Sequence, residues 1–180
     1  LQSTKKIKGV TKMKNLLEWI RDIVIAVIIA AIILAFFKPL IVQQESMQPN
    51  FYSGDYLITS RQAYRLFGQP ERGDVIVFKS HLYDEKGKQK NLIKRIIGLP
   101  GDTVEIKNGD VYINGELLQE EYVAEQGLSG EKEAVTVPEG RLFVMGDNRR
   151  VSQDSRSPEV GTIEMDSIVG KVVLRLYPFN

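Results

Sequence analysis

Residues Ile23 to Phe37 read IVIAVIIAAIILAFF, fifteen apolar residues without a break. No other stretch narrows the possible folds so far. A bilayer core takes about 20 residues of helix. Trp19 and Ile20 lengthen the run backward across Arg21-Asp22, and Leu40 to Val42 lengthen it forward across Lys38. Arg21 and Lys38 can keep their stems among apolar neighbours and send their charges to the two interfaces, where Trp19 is also at home. A core helix of a soluble domain would carry an apolar stripe, whereas this run is apolar all round. A cleaved leader would be followed by a small-x-small site. The next residues are KPLIVQQES. The expectation is an uncleaved membrane anchor over residues 16–39.

Charge gives the anchor a direction. Residues 1–14 hold Lys5, Lys6, Lys8, Lys12 and Lys14 and no acid, so a chain of net charge +1 has a remainder of −4. Positive residues stay on the cytoplasmic side. Residues 1–15 are therefore expected in the cytoplasm and residues 40–180 outside it. A short basic head on a mildly acidic body is not the footprint of a nucleic-acid binder. Leu1 is not an initiator methionine, so a trimmed or processed start is expected, and Met13 would itself serve as one.

Beyond the anchor a turn recurs. Five Gly-Asp pairs open GDYLITS, GDVIVFKS, GDTVEIK, GDVYING and GDN, and four of them lead straight into a β-branched or aromatic run. Gly-Asp is turn chemistry, and short alternating runs after turns predict strands. Asn108-Gly109 predicts a hairpin turn and Asn114-Gly115 the end of its second strand. Further strands are expected at Arg141–Met145 and over 167–176, and loops at 60–72, 80–90 and 124–140. No long amphipathic helix is expected after residue 42. The fold class is mainly β: one transmembrane helix, then an extracytoplasmic antiparallel β domain.

The candidate chemistry begins with Ser46 in QQESMQPNF, directly after the anchor. A serine is a nucleophile only if a neighbour can take its proton. There are no cysteines, which excludes thiolate chemistry and disulfides, and a single histidine, His81. That histidine sits in the polar stretch SHLYDEKGK, a poor place to hold a base rigidly. With no cysteine, one histidine and no carboxylates at ligand spacing, neither a metal nor a cofactor is expected. The remaining candidate is a lysine, which serves as a base only where apolar burial lowers its pKa. In NLIKRIIGLPGD, strand alternation puts Leu92, Lys94 and Ile96 on one face and Ile93, Arg95 and Ile97 on the other. Lys94 is then flanked by aliphatics, and a buried Arg95 needs a carboxylate. The pair can also be read as an exposed edge feature that resists aggregation. FVMGDNRRVSQDSRS, residues 143–157, is equally open: a rigid polar network around a site, or a solvated turn.

These stretches, taken in order, resemble the bacterial type I signal peptidases, membrane-bound serine proteases with a Ser/Lys dyad, and most of all the short Gram-positive forms. The resemblance covers essentially the whole chain. SMQPNF stands for the family's S-M-x-P-T-L, RGDVIVF for G-D-x-[IV]-x-[VF], KRIIGLPGD for K-R-[IV]-[IV]-G-x-P-G-D, and GDNRRVSQDSR for G-D-N-R-x-x-S-x-D-S-R. It implies Ser46 as nucleophile, Lys94 as general base, Ser152 as the hydroxyl orienting the lysine, and the Ser46 N–H as an oxyanion donor. It implies Arg95–Asp147 and Arg156–Asp154 as braces, and Leu40, Val42, Met47, Phe51, Leu92 and Ile93 as walls of shallow pockets for small side chains. It implies two antiparallel sheets, with substrate added as a strand beside the lysine strand. The implied partners are signal-peptide-bearing pre-proteins and the bilayer, cleaved after small residues at −1 and −3. Asn50 and Phe51 replace the usual threonine and leucine, and Gln44 occupies a position where some relatives carry a hydroxyl donor. Two rivals share part of the pattern. Self-cleaving repressors of the LexA type carry a DNA-binding domain where this chain has an anchor. Non-catalytic relatives that serve pilus assembly lose part of the dyad, whereas Ser46, Lys94 and Ser152 are all present here.

Overall fold

The structure is a computed structural model that describes residues 2–66 and 68–178, without the side chains of residues 2–16 and 65. Leu1 and the lysine side chains at positions 5 to 14 lie outside what is described. Two units divide the chain near Phe37. The first is helix α1, Gln2–Phe36. Its stretch Leu17–Phe36 is 20 residues long and apolar, and none of it is buried by protein. At 1.5 Å per residue that stretch spans about 30 Å, the thickness of a bilayer core. Large side chains around the whole circumference, Ile23, Val24, Ile25, Val27 and Ile28 among them, are about half exposed. By length and composition this helix can cross a membrane.

The helix stops at Phe36, short of the expected end at residue 39. Pro39 disfavours helical geometry in the residue before it, so Phe37–Ile41 is extended instead and forms strand β1. The second unit is built on two antiparallel sheets. The strands are β2 (Tyr56–Ser60), β3 (Val75–Tyr83), β4 (Gln89–Gly98), β5 (Thr103–Lys107), β6 (Asp110–Ile113), β7 (Glu116–Leu117), β8 (Lys132–Thr136), β9 (Arg141–Met145), β10 (Ile163–Glu164) and β11 (Ile168–Tyr177), with a single helical turn, α2, at Ala63–Leu66. The large sheet runs β1-β2-β11-β3-β4-β9-β10 and the small one β7-β6-β5-β8.

The predicted hairpin is present. Lys107 pairs with Asp110 across Asn108 and Gly109, both at positive φ, as a two-residue primed turn requires. A side chain at Gly109 would also collide with the carbonyl of Gly127, where a Cβ would lie 1.9 Å from the oxygen. Asn114-Gly115 repeats the device and adds β7, a strand the sequence did not announce. Two loop expectations are corrected. β3 runs to Tyr83 and β4 starts at Gln89, so the 80–90 loop is only a hairpin tip. The 124–140 loop contains β8.

Period-2 alternation divides the core. Ile76 and Phe78 of β3, Leu92 and Ile96 of β4, and Leu142 and Val144 of β9 pack with Val160 and Ile163. Ile97, Phe143 and Met145, from β4 and β9, pack instead with Val104, Ile106, Val111, Ile113 and Val137. Strand β4 thus lies between two apolar layers. It is paired on both edges only in its second half: β3 accompanies it from Gln89, whereas β9 joins at Arg95. Upstream of Arg95 one edge of β4 has no strand beside it among the described residues.

Candidate active site

Ser46 opens a tight turn that follows β1. Gln48 N–H donates to Glu45 O at 3.2 Å, and the N–H groups of Asn50 and Phe51 both reach Met47 O, at 3.0 and 2.9 Å. Met47 is buried beneath the turn. From the other side Asn148 N–H donates to Ser46 O at 3.0 Å. Its side-chain amide donates to Glu45 O at 3.3 Å. The carbonyls of the turn are thereby tied down. The Ser46 N–H donates to no acceptor among the described residues.

Lys94 stands in the middle of β4, opposite Ile76, and is only 1 % exposed. Its Nζ lies 2.6 Å from Ser46 Oγ, 48 residues away in sequence. Burial among aliphatics penalises the ammonium and lowers the Lys94 pKa to about 8. The charges of Asp154 and Asp147 oppose that fall, and the charge of Arg156 assists it. The edge-feature reading of the Lys-Arg pair is excluded by this burial.

Arg95 points the other way, as alternation requires. It donates to both carboxylate oxygens of Asp147, at 2.8 and 2.7 Å, and to Gly73 O at 2.8 Å. Its guanidinium lies over the Tyr122 ring, 4.1 Å from the centroid. Asn50 enters the same cluster, donating to Asp147 at 2.8 Å and to Tyr122 O at 2.6 Å. The Asn50 amide therefore ties the serine turn to the arginine brace. Asp154 is fully buried and accepts from Arg156 at 2.8 and 2.9 Å and from Gly146 N–H at 3.0 Å. Burial alone would raise the pKa of this carboxyl, but these donors hold it below the ordinary range.

Gly146 sits where these parts converge. A Cβ there would lie 2.2 Å from Ser152 Oγ and 2.4 Å from Ser46 O. Ser152 is thus beside the nucleophile turn, but it makes no hydrogen bond to Lys94. Its Oγ is buried and lacks a well-formed bond. The contact with Asp154 is loose, though it helps keep that carboxylate ionised. Sequence reasoning missed the ion pair beneath this turn. Arg149 donates to Glu120 at 2.5 and 2.7 Å, with both side chains nearly fully buried. Ser129 Oγ and the Tyr122 hydroxyl complete the group. Nothing local in the sequence around Glu120 marks it as a partner for Arg149, 29 residues away.

A cleft of about 320 Å³ opens onto the dyad. Leu92 is the one expected pocket residue that lines it. Val42 and Met47 are buried behind the turn, while Leu40, Phe51 and Ile93 are partly buried away from the cleft lining. Ile93 is next to Lys94 on a strand, so it faces the opposite side. The walls are instead completed by Gln44, Glu45, Leu82, Lys90, Val151 and Gln153. Lys90 shares the face of Lys94 by the alternation that selected Leu92, so this part of the lining was open to inference. His81 lies exposed on β3 and lines a separate small hollow.

A family model described as signal peptidase, peptidase S26, matches residues 16–177. The chain belongs to that family. Among curated relatives, signal peptidase I of Bacillus licheniformis is 38 % identical over 96 % of this chain and 95 % of its own. Signal peptidase I S of Bacillus subtilis strain 168 is also 38 % identical, over 97 % and 96 %. Signal peptidase IB of Staphylococcus aureus strain Mu50 is 35 % identical, over 93 % and 92 %. A solved signal peptidase I from Enterococcus faecalis V583 is 34 % identical, covering 58 % of this chain and 97 % of that one, with a TM-score of 0.49. The four motifs of this S26 chain span its serine turn, β3, β4 and the turn after β9.

Proposed function

We propose that this protein is a membrane-bound serine endopeptidase that removes amino-terminal signal peptides from secreted pre-proteins after small residues at −1 and −3. The observation that carries the reading is the 2.6 Å approach of a buried lysine to Ser46. With Nζ neutral, Ser46 Oγ–H donates to its lone pair and passes its proton there as Oγ attacks the scissile carbonyl. The unpartnered Ser46 N–H serves as oxyanion donor in this reading. The protonated lysine then gives its proton to the departing amine, leaving an acyl-enzyme on Ser46. A water activated by the same amine hydrolyses that ester.

Ser152 is the positioning hydroxyl: its unbonded Oγ is available to Nζ once Ser46 Oγ becomes acylated. Arg95–Asp147 and Arg156–Asp154 hold the two loops against the dyad. Leu92 forms the floor beside it, and Val42, Met47, Leu40, Phe51 and Ile93 support its shape from behind. Residues 1–15 lie in the cytoplasm, the apolar helix that ends at Phe36 anchors the chain, and the β domain that follows is the extracytoplasmic catalytic part. An enzyme tethered at the bilayer meets substrates held in the same bilayer at high effective concentration.

The test is cleavage of a pre-protein with an Ala-x-Ala site, in detergent, by the wild type, Ser46→Ala and Lys94→Ala. Cleavage by the wild type alone is expected. Because the base must be neutral, kcat/KM should climb with pH through about 8, the Lys94 value, and fall on the acid side. A folded wild type inert on several such precursors would sink the proposal. Activity retained by Lys94→Ala would move the base elsewhere.

A further inference from the structure

The cleft lining continues from the dyad along β4 as far as Lys90. Its floor is one face of β4, where Lys94, Leu92 and Lys90 follow one another at two-residue intervals, each about 7 Å. Leu82 of the neighbouring strand closes the far end beside Lys90. Lys94 is engaged by Ser46. Lys90 is half-buried, and its ammonium has no ion pair or side-chain hydrogen bond among the described residues. Two acids lie in its surroundings. Glu45 lines the same cleft without pairing with it. Asp84, at the hairpin tip, feels the charge of Lys90 but is taken up by the N–H groups of Lys86 and Lys88.

A substrate strand laid along the open edge of β4, parallel to it and with −1 beside Lys94, inherits its period of two. Side chains at −1, −3 and −5 then turn to the face that carries Lys94, Leu92 and Lys90. A bound peptide therefore covers the Lys90 ammonium between Leu82 and Leu92. Burying an unpaired cation is costly, and the cost is relieved if the peptide brings an anion. We infer that Lys90 is a specificity-determining residue that selects precursors with a carboxylate side chain at −5. This rests on the peptidase reading above and extends it to a further subsite.

The test is a set of otherwise identical precursors with an Ala-x-Ala site and Asp, Ala or Lys at −5, plus controls with Asp at −4 and at +4. Each is cleaved by the wild type, Lys90→Ala and Lys90→Glu. Ratios of kcat/KM between substrates within one enzyme do not depend on how much of that enzyme is folded. The wild type should favour Asp over Ala at −5 by roughly fivefold, as a half-buried ion pair would give. Lys90→Ala should level the three, Lys90→Glu should invert the order, and Asp at −4 should change little because it faces away. Indifference to charge at −5, or a preference that survives in Lys90→Ala, overturns the inference while leaving the peptidase intact. So does an equal preference for Asp at +4, which would put the cation on the other side of the scissile bond. If the wild type cleaves none of the set, the peptidase reading itself falls and takes this subsite with it.

Discussion

Replacing Lys94 by methionine should stabilise the protein while abolishing its chemistry. Methionine keeps the length of the lysine stem and removes the amine. In an unfolded chain lysine titrates near 10.4; in the folded protein burial brings Lys94 to about 8. The native state therefore holds the proton less tightly than the unfolded one, by about two and a half pH units. At about 1.4 kcal/mol per pH unit, this is a penalty of about 3 kcal/mol for folding with a protonated lysine. It is fully present below pH 8, shrinks as pH rises from 8 toward 10.5, and is gone above that. The Ser46 contact, worth about 1 kcal/mol, is lost in the variant and reduces the gain. Lys94→Met should then be about 2 kcal/mol more stable than the wild type at pH 7, and no more stable than it near pH 10.5. The assay is urea unfolding of the full chain in detergent at a series of pH values. It should be followed by near-ultraviolet circular dichroism of the seven tyrosines, since the only tryptophan lies in the anchor. A stability difference that stays constant from pH 7 to 10.5 would refute the claim that burial of the amine sets its pKa.

Gly146→Ala should lower kcat/KM by about a hundredfold or more, because the new methyl must displace the Ser46 carbonyl or Ser152; an unchanged rate would show that the turn yields freely. Glu120→Gln leaves Arg149 charged in a nearly sealed site and should cost about 3 kcal/mol in urea unfolding. Combining Glu120→Leu with Arg149→Met should cost less than the sum of the two alone, and additive losses would argue against a coupled pair.

Much of this was legible because the signals were local. The anchor is a composition signal, the Asn-Gly hairpins are two-residue turn chemistry, and Lys94 is marked by the alternation of its own strand. That same alternation sent Arg95 to the other face and required a carboxylate, which Asp147 supplies. What escaped depends on contacts distant in sequence or on weak patterning. Strand β8 is mostly exposed, so KEAVT carries no apolar alternation. Glu120 is one acid among several until the fold buries it against Arg149. The pocket walls were taken from sequence neighbours of the dyad, yet Met47 and Val42 point their apolar side chains into the protein. The cleft is instead completed by Leu82, from the adjacent strand, and Val151, from the turn after β9.

The opposite orientations of Lys94 and Arg95 make the pairing of β4 a reading frame. Two cations sit back to back, one required to lose its proton and one required to keep it. A slip of β4 by one residue against β3 and β9 would turn each to the other face. Slipped one way, Arg95, a guanidinium that cannot deprotonate, would face Ser46; slipped the other way, Lys94 would sit beside Asp147 as an ordinary ion pair and Ile93 would face Ser46. Such a chain could keep much of its backbone hydrogen bonding and all of its composition, yet it would hold no base. Catalytic competence in this protein is therefore a report on register, set by which aliphatic neighbours of the Lys-Arg pair the two core layers accept.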